Sequence, residues 1–390
     1  MKKMLLSLVA AAVMLATCNR ADDPVNSAPE APSIQKTGKV TGKVMANNGV
    51  KPIGGALVFT FDGNHKLYYA YSDAQGNFAL DAPEGQRTIH IQTGGGSNFR
   101  TEVTANISET QPLVLSASQT KLTQIANIAY VKGAYDKIED IITGLGYTAT
   151  QLSFSQLQDM NNVAPYDIIF LNCGSRNSQA ASGYALAETN LANFVTNGGS
   201  LYASDWDVSY LVGGGANSTA CNLPGGFIAD PLLCSQNNGM SGTYSNCNVS
   251  NTALASAIGF NSLDIDYDLG SWQKINSYDA SFWDVLVEKQ GEALMIRTNK
   301  FVQQGAPTIA VGNAANNQYV TICHKPAGAN PVTLTIPQNA LSAHLAHGDS
   351  LGSCNGTSNS GNIYFTTFHN HASGNIGNTA PILQYVILNL

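Results

Sequence analysis

Tyr166-Asp-Ile-Ile-Phe-Leu-Asn-Cys-Gly174, followed by Leu191-Ala-Asn-Phe-Val-Thr-Asn-Gly-Gly-Ser-Leu-Tyr-Ala-Ser204, decides the reading of the larger part of this chain. Asp167-Ile-Ile-Phe-Leu171 is a short apolar run of the kind that forms a strand buried on both faces. Leu186 to Val195 has helical spacing and is closed by Asn197-Gly198-Gly199, after which Ser200-Leu-Tyr-Ala203 reads as the next strand. Upstream, Ile125-Ala-Asn-Ile-Ala-Tyr-Val131 is a strand, and Tyr135-Asp-Lys-Ile-Glu-Asp-Ile-Ile142 an amphipathic helix ended by Gly144 and Gly146. Such alternation predicts a doubly wound α/β sheet with right-handed crossovers, in which ligands gather at the carboxyl ends of the strands.

Those two stretches resemble the class I glutamine amidotransferase-like superfold. Gly361-Asn-Ile-Tyr-Phe-Thr-Thr-Phe-His-Asn370 resembles the strand that delivers the family's catalytic His, with His369 in the matching position. The resemblance implies a flavodoxin-like α/β domain over residues 122–390, with Ile382 to Leu390 as its closing helix and insertions at 213–251 and 319–355. It places a nucleophile on the turn after Ser200–Ala203, which here reads Ser204-Asp205-Trp206-Asp207 and holds no Cys. Cys173 ends the preceding strand instead, and the acidic residue expected two after the His is His371. Glutamine hydrolysis by the family's route is therefore not expected. Ser204 with His369 could still supply nucleophile and base, oriented by Asp205 or Asp207. Ser and Asp at a strand-to-helix turn are also good helix N-caps, and that plainer reading is preferred.

Thr37 to about Ala117 has a different pattern. Val40–Val44, Ala56–Phe61, Leu67–Tyr71, Asn77–Leu80 and Thr88–Gln92 are short alternating runs punctuated by Gly, Pro, Asn and Asp, which predicts an all-β sandwich over residues 37–118. Gly38-Lys-Val-Thr-Gly42, Pro52-Ile-Gly-Gly-Ala-Leu-Val58, Ser72-Asp73-Ala-Gln-Gly76-Asn-Phe78 and Pro83-Glu-Gly85 resemble the carboxypeptidase regulatory-like domain. That family is non-catalytic, so the resemblance implies a spacer or accessory module with an immunoglobulin-like β-sandwich.

The chain starts with Lys2 and Lys3, an apolar run from Met4 to Ala16, and Leu15-Ala16-Thr17-Cys18. The run is too short for a spanning helix and reads as a signal peptide over residues 1–17. Leu-Ala-Thr-Cys resembles a bacterial lipobox, which implies acylation of Cys18. Several chains at about 0.8 kcal/mol per buried methylene hold a protein at a membrane where one would not. Residues 18–36 lack periodicity and form a flexible tether. Asn19 and the following Ala21-Asp22-Asp23 look like an outward sorting signal, so the expected location is the outer membrane, lipid-anchored, at the cell surface, with its periplasmic face as the alternative.

A compact Cys/His segment lies late in the chain: Thr321-Ile-Cys323-His324-Lys-Pro326, Pro331-Val-Thr-Leu-Thr-Ile-Pro337, Ala340-Leu-Ser-Ala-His344-Leu-Ala-His347-Gly348-Asp349, and Cys354. It resembles a small module that recurs in secreted bacterial proteins. Val332 to Ile336 reads as a strand and Gln338 to His347 as a short helix stopped by Gly348. His344 and His347 share a helical face, and closing Cys323 to Cys354 would bring His324 near them. His324, His344, His347 and Asp349 could then hold Zn or Cu; the alternative is a disulfide-stapled subdomain in which these groups hydrogen-bond. With Cys173, Cys221, Cys234 and Cys247 the exported body carries an even set of cysteines, and disulfides are expected of all of them.

With 390 residues, 44% hydrophobic and 12% charged, the chain can bury more than one core. A net charge of -7 excludes the basic footprint that nucleic-acid binding needs. The expected whole is a multi-domain lipoprotein, an all-β sandwich followed by a flavodoxin-like α/β domain that lacks the family's chemistry. Its expected function is to bind or scaffold an envelope protein or glycan. The alternatives are a metal- or Ser/His-dependent hydrolase of extracellular glycan or peptide, and an accessory lipoprotein of a transport system.

Overall fold

A computed structural model describes residues 35–64, 66–93, 98–176, 183–214, 226–301, 319–325, 332–346, 349–351, 361–370 and 379–390. The expected signal peptide, Cys18, the tether up to residue 34, Cys221, His347, Cys354 and His371 lie outside them. The fold is mostly β, in several sheets. No helix among the described residues is long and apolar enough to cross a membrane.

The first strands are β1 (Thr37–Lys43), β2 (Leu57–Phe61), β3 (Leu67–Tyr71), β4 (Asn77–Pro83), β5 (Gly85–Thr93), β6 (Phe99–Ile107), β7 (Leu113–Val114) and β8 (Thr123–Gln124). They form a three-stranded sheet, β4-β1-β7, and a five-stranded one, β3-β2-β5-β6-β8. Period-two alternation sends Val40, Phe78, Leu80 and Ala82 of the first and Val58, Ile89, Ile91 and Val103 of the second into one core. The turn before β4 depends on Gly76, whose φ is +81°. A Cβ there would meet the carbonyl oxygen of Val44 at 2.6 Å. Asp73 shapes the same turn by accepting from the backbone N–H groups of Gln75 and Asn77 at 3.0 and 2.8 Å.

Next in chain order come β9 (Ile128–Val131), α1 (Ile138–Gly144), β10 (Thr150–Leu152), α2 (Phe154–Leu157), α3 (Met160–Val163), β11 (Ile168–Leu171), α4 (Tyr184–Thr196) and β12 (Ser200–Ser204). α5 (Ser209–Val212), β13 (Leu233–Gly239), β14 (Gly242–Val249), α6 (Thr252–Ile258), β15 (Ser262–Tyr267), β16 (Trp272–Tyr278), β17 (Asp284–Lys289) and β18 (Glu292–Thr298) follow. The chain ends with β19 (Tyr319–His324), β20 (Val332–Pro337), α7 (Leu341–Ala346), β21 (Ser350–Leu351), β22 (Ile363–Thr366) and α8 (Ala380–Asn389). The central sheet has the order β10-β9-β11-β12-β22-β18-β17-β14-β15. Its first five strands are parallel and the remaining pairings antiparallel.

Every residue of β11, β12 and β22 is buried, as their apolar runs require of strands covered on both faces. Ile168, Phe170, Tyr202 and Tyr364 face one core with α1, α6 and α8. Ile169, Leu171, Leu201, Ala203 and Phe365 face another with α2, α4 and α5. The first of these cores continues without a break into the β1–β8 layer, and Lys36–Leu390 is one compact unit. Asn48 donates to the Gly144 carbonyl at 2.6 Å and Asn98 to that of Leu390 at 2.5 Å across this contact.

Two local expectations need correction. The helix expected from Tyr135 starts only at Ile138, because Lys137 N–H is bonded to Asn370 O at 3.0 Å and Asp136 is drawn into the interior. The stretch 213–251, expected to be an insertion outside the α/β sheet, contains β13 and β14, and β14 belongs to the central sheet. Its Asn, Ser and Gly disguise the pattern: only Cys247 and Val249 of β14 are buried.

Candidate functional site

β11, β12 and β22 are neighbours in the sheet and point the same way, so the residues following them meet at one end. Cys173 and Gly174 follow β11, Asp205 to Asp207 follow β12 in a single 3₁₀ turn, and His369 and Asn370 follow β22. Cys173, Ser204, Asp205, Asp207 and His369 are all buried. The structure thus brings together Ser204, Asp205, Asp207 and His369 as expected from the sequence, but it does not assemble the Ser204–His369 dyad. A hydroxyl has one proton to give, and Ser204 Oγ donates it to Asp136 Oδ2 at 2.5 Å while accepting Cys173 N–H at 2.9 Å. Asn370 N–H donates to the other oxygen of Asp136 at 3.2 Å.

Asp205, in the turn after β12, has a φ of 42°, a conformation few non-glycine residues hold. Its Oδ1 accepts Gln273 N–H at 2.7 Å. Oδ2 lies 3.6 Å from Cys173 Sγ and 3.7 Å from His369 Nδ1. Asp207 accepts from Gly174 N–H at 3.1 Å and from the Ser175 hydroxyl. Gly174 has φ +87°, which turns the chain back over this carboxylate.

Burial dominates the electrostatics. It raises Asp136 to about 7 against the hydrogen bond from Ser204, with the charge of Glu139 adding to the rise. It likewise raises Asp207 to about 7 against bonds from Ser175 and Gly174. Asp205 is pushed well above the usual carboxylate range by desolvation, and the Cys173 thiol well above the usual thiol range by desolvation and then by the charges of Asp205 and Asp207.

Sequence reading missed the ion pair beside this cluster. Arg176, in the turn after β11, meets Glu188 of α4 at 2.8 Å with both side chains buried. Its guanidinium also lies 3.9 Å from the ring centre of Tyr184. Glu188 sits next to Ala187 on the face of α4 that buries Leu191, Ala192 and Val195, and a lone charge on such a face signals a partner. Asp136 was hidden differently, inside an apparent helix.

The Cys/His segment forms a separate small sheet, β20-β19-β21, carrying α7. Leu57, Phe59 and Leu67 pack with Ile322, Leu334 and Ile336, so this segment sits on the β2–β3 hairpin. The structure brings His324, His344 and Asp349 together: Asp349 Oδ2 accepts from His324 Nδ1 at 2.6 Å and from His344 Nδ1 at 2.7 Å. Lys325 N–H donates to Oδ1 at 2.9 Å. Burial works to raise this carboxyl, but the bonds from His324, Lys325 and His344 outweigh it and hold it below its usual range. Phe61 closes the group, its ring 4.9 Å from that of His344.

Among the described residues, two buried groups therefore have donor sets able to hold a cation: Cys173, Asp205 and His369, and His324, His344 and Asp349. A tetrahedral zinc ion with bonds of about 2.0 Å keeps neighbouring N and O ligands roughly 3.3 Å apart. The 2.6 and 2.7 Å separations in the second group are instead those of charge-assisted hydrogen bonds.

The cysteines divide in a way the even count did not foresee. Cys234 and Cys323 are disulfide-bonded. Cys173 and Cys247 are free and buried, which corrects the expectation of a disulfide at either. Cys247 Sγ donates to the Tyr244 carbonyl at 3.1 Å, and Cys173 points at Asp205.

No family model and no curated protein matches the chain. One solved structure, described as cytoplasmic protein STM3548 from Salmonella typhimurium, is similar over 44% of this chain and 82% of its own, at 11% identity and a TM-score of 0.26. A likeness that slight carries no argument, and the case for function rests on the residues themselves.

Proposed function

We propose that this protein is a lipid-anchored component of the outer membrane, exposed at the cell surface, whose flavodoxin-like sheet serves recognition of an envelope protein or glycan rather than hydrolysis. The observation that supports this reading is the commitment of Ser204, the candidate nucleophile on the turn after Ser200–Ala203: its proton goes to Asp136. In the same reading, the β1–β8 layer is the regulatory-like spacer, Cys18 carries the acyl chains, and Cys354 is the partner of Cys323. That last bond would close a loop of about 30 residues and stabilise the small segment by roughly 3–4 kcal/mol.

Peptide mapping of the membrane-extracted protein without reduction tests these assignments together. It is expected to give an amino-terminal peptide that begins at an acylated Cys18, and a single linked species joining Cys323 to Cys354. An unmodified Cys18 inside an uncut leader, or Cys323 linked elsewhere, would contradict them.

A further inference from the structure

We infer that Cys173 Sγ, Asp205 Oδ2 and His369 Nδ1 form a Zn²⁺ site at the carboxyl ends of β11, β12 and β22. A tetrahedral zinc ion, with bonds of about 2.3 Å to S and about 2.0–2.1 Å to N and O, holds S and O roughly 3.5 Å apart and N and O roughly 3.3 Å apart. The corresponding separations are 3.6 Å, at which the Cys173 thiol donates a hydrogen bond to Asp205 Oδ2, and 3.7 Å, and one ligand atom from each of the three residues lies within 4.8 Å of the others. At 3.7 Å the imidazole and the carboxylate are too far apart for a hydrogen bond, yet close enough to share an ion. In the His324–His344–Asp349 group both ring nitrogens are instead drawn in to 2.6 and 2.7 Å from one carboxylate oxygen, closer than N and O ligands of one zinc ion stand.

The surroundings are built for a carboxylate held toward a cation. Gln273 N–H takes up Asp205 Oδ1 at 2.7 Å and leaves Oδ2 facing the thiol and the ring, an outer contact of the kind that orients metal-bound carboxylates. The positive φ of Asp205 is the backbone cost of aiming that side chain. Asp136 and Asp207 bring further buried carboxyls to the same strand ends, while the guanidinium nearest in sequence, Arg176, is paired with Glu188. The mixture of thiolate, imidazole and carboxylate suits borderline Zn²⁺, whereas Mg²⁺ and Ca²⁺ take oxygen ligands. Because all three ligands are buried, the ion's role is to tie three strand ends together.

The test uses the full chain, purified in detergent after growth in medium where Co²⁺ replaces Zn²⁺. One equivalent of bound cobalt is expected, with the intense visible absorption of a tetrahedral ion and a sulfur-to-cobalt charge-transfer band in the near ultraviolet. Cys173→Ser should lose that band, and His369→Gln should weaken binding by more than the roughly 10–100-fold that loss of a ligand's hydrogen-bond partner costs. Cys247→Ser and His344→Ala should keep both the band and the stoichiometry. Wild-type protein without the charge-transfer band would overturn the inference, whether or not the variants fold. So would a band that survives in Cys173→Ser, or cobalt that is lost in His344→Ala.

Discussion

Replacing Glu188 with Ala is expected to destabilise the fold by about 3–5 kcal/mol, the loss typical of a buried ion pair stripped of one partner. Arg176 would keep its charge in a desolvated position between Tyr184 and Tyr210, with the Ser209 carbonyl, among the described residues, left to accept from it. Gly226 N–H, which donates to Glu188 Oε2 at 2.9 Å, would lose its acceptor as well. The penalty comes from the stranded charge rather than from the worth of the pair, so removing both charges together should cost less. Arg176→Met combined with Glu188→Leu is expected to recover most of the stability lost in Glu188→Ala. Chemical denaturation of the three proteins reads this directly. A single variant within about 1 kcal/mol of wild type would mean that the pair is relaxed and hydrated.

Stability should fall as the pH rises from about 5 to 8. Asp136 has a folded-state pKa of about 7 against an ordinary value of 3.8, so between those values the folded chain holds a proton that the unfolded chain has released. The slope of unfolding free energy with pH is then negative. The stabilising contribution is complete below the unfolded pKa and is lost as the pH passes through the folded one. Asp136→Asn is uncharged at every pH, as the neutral acid is, and its amide oxygen can still accept the Ser204 hydroxyl. Thermal melts should therefore show this variant close to wild type at pH 5 and more stable at pH 8, by on the order of a few kcal/mol. Wild-type stability that climbs over this range, or a variant destabilised equally at both ends, would show that Asp136 is ionised in the folded protein.

The sequence made the parallel strands readable because strands covered on both faces must be apolar throughout, as Ile168–Leu171 is. Strands with one exposed face, such as β14, are diluted by solvent-facing Asn and Ser and look like loop. The site was half legible for a similar reason. Ser204, Asp205, Asp207 and His369 stand at the ends of recognisable strands, so their convergence follows from topology. Asp136 and Arg176 stand in turns whose direction is set by tertiary hydrogen bonds, such as that between Lys137 N–H and Asn370 O, and local pattern carries no trace of those. Parity of cysteine count failed as a guide because burial protects a thiol as well as a disulfide does: Cys173 and Cys247 are both enclosed and unpaired.

The proposal of recognition over hydrolysis depends on Ser204 being a donor to Asp136 and not a nucleophile. Intact-mass measurement after exposure to a fluorophosphonate, which labels activated serines covalently, tests that most directly. The account predicts no adduct on Ser204 at any pH between 6 and 9. A stoichiometric adduct that maps to Ser204 and disappears in His369→Ala would contradict it.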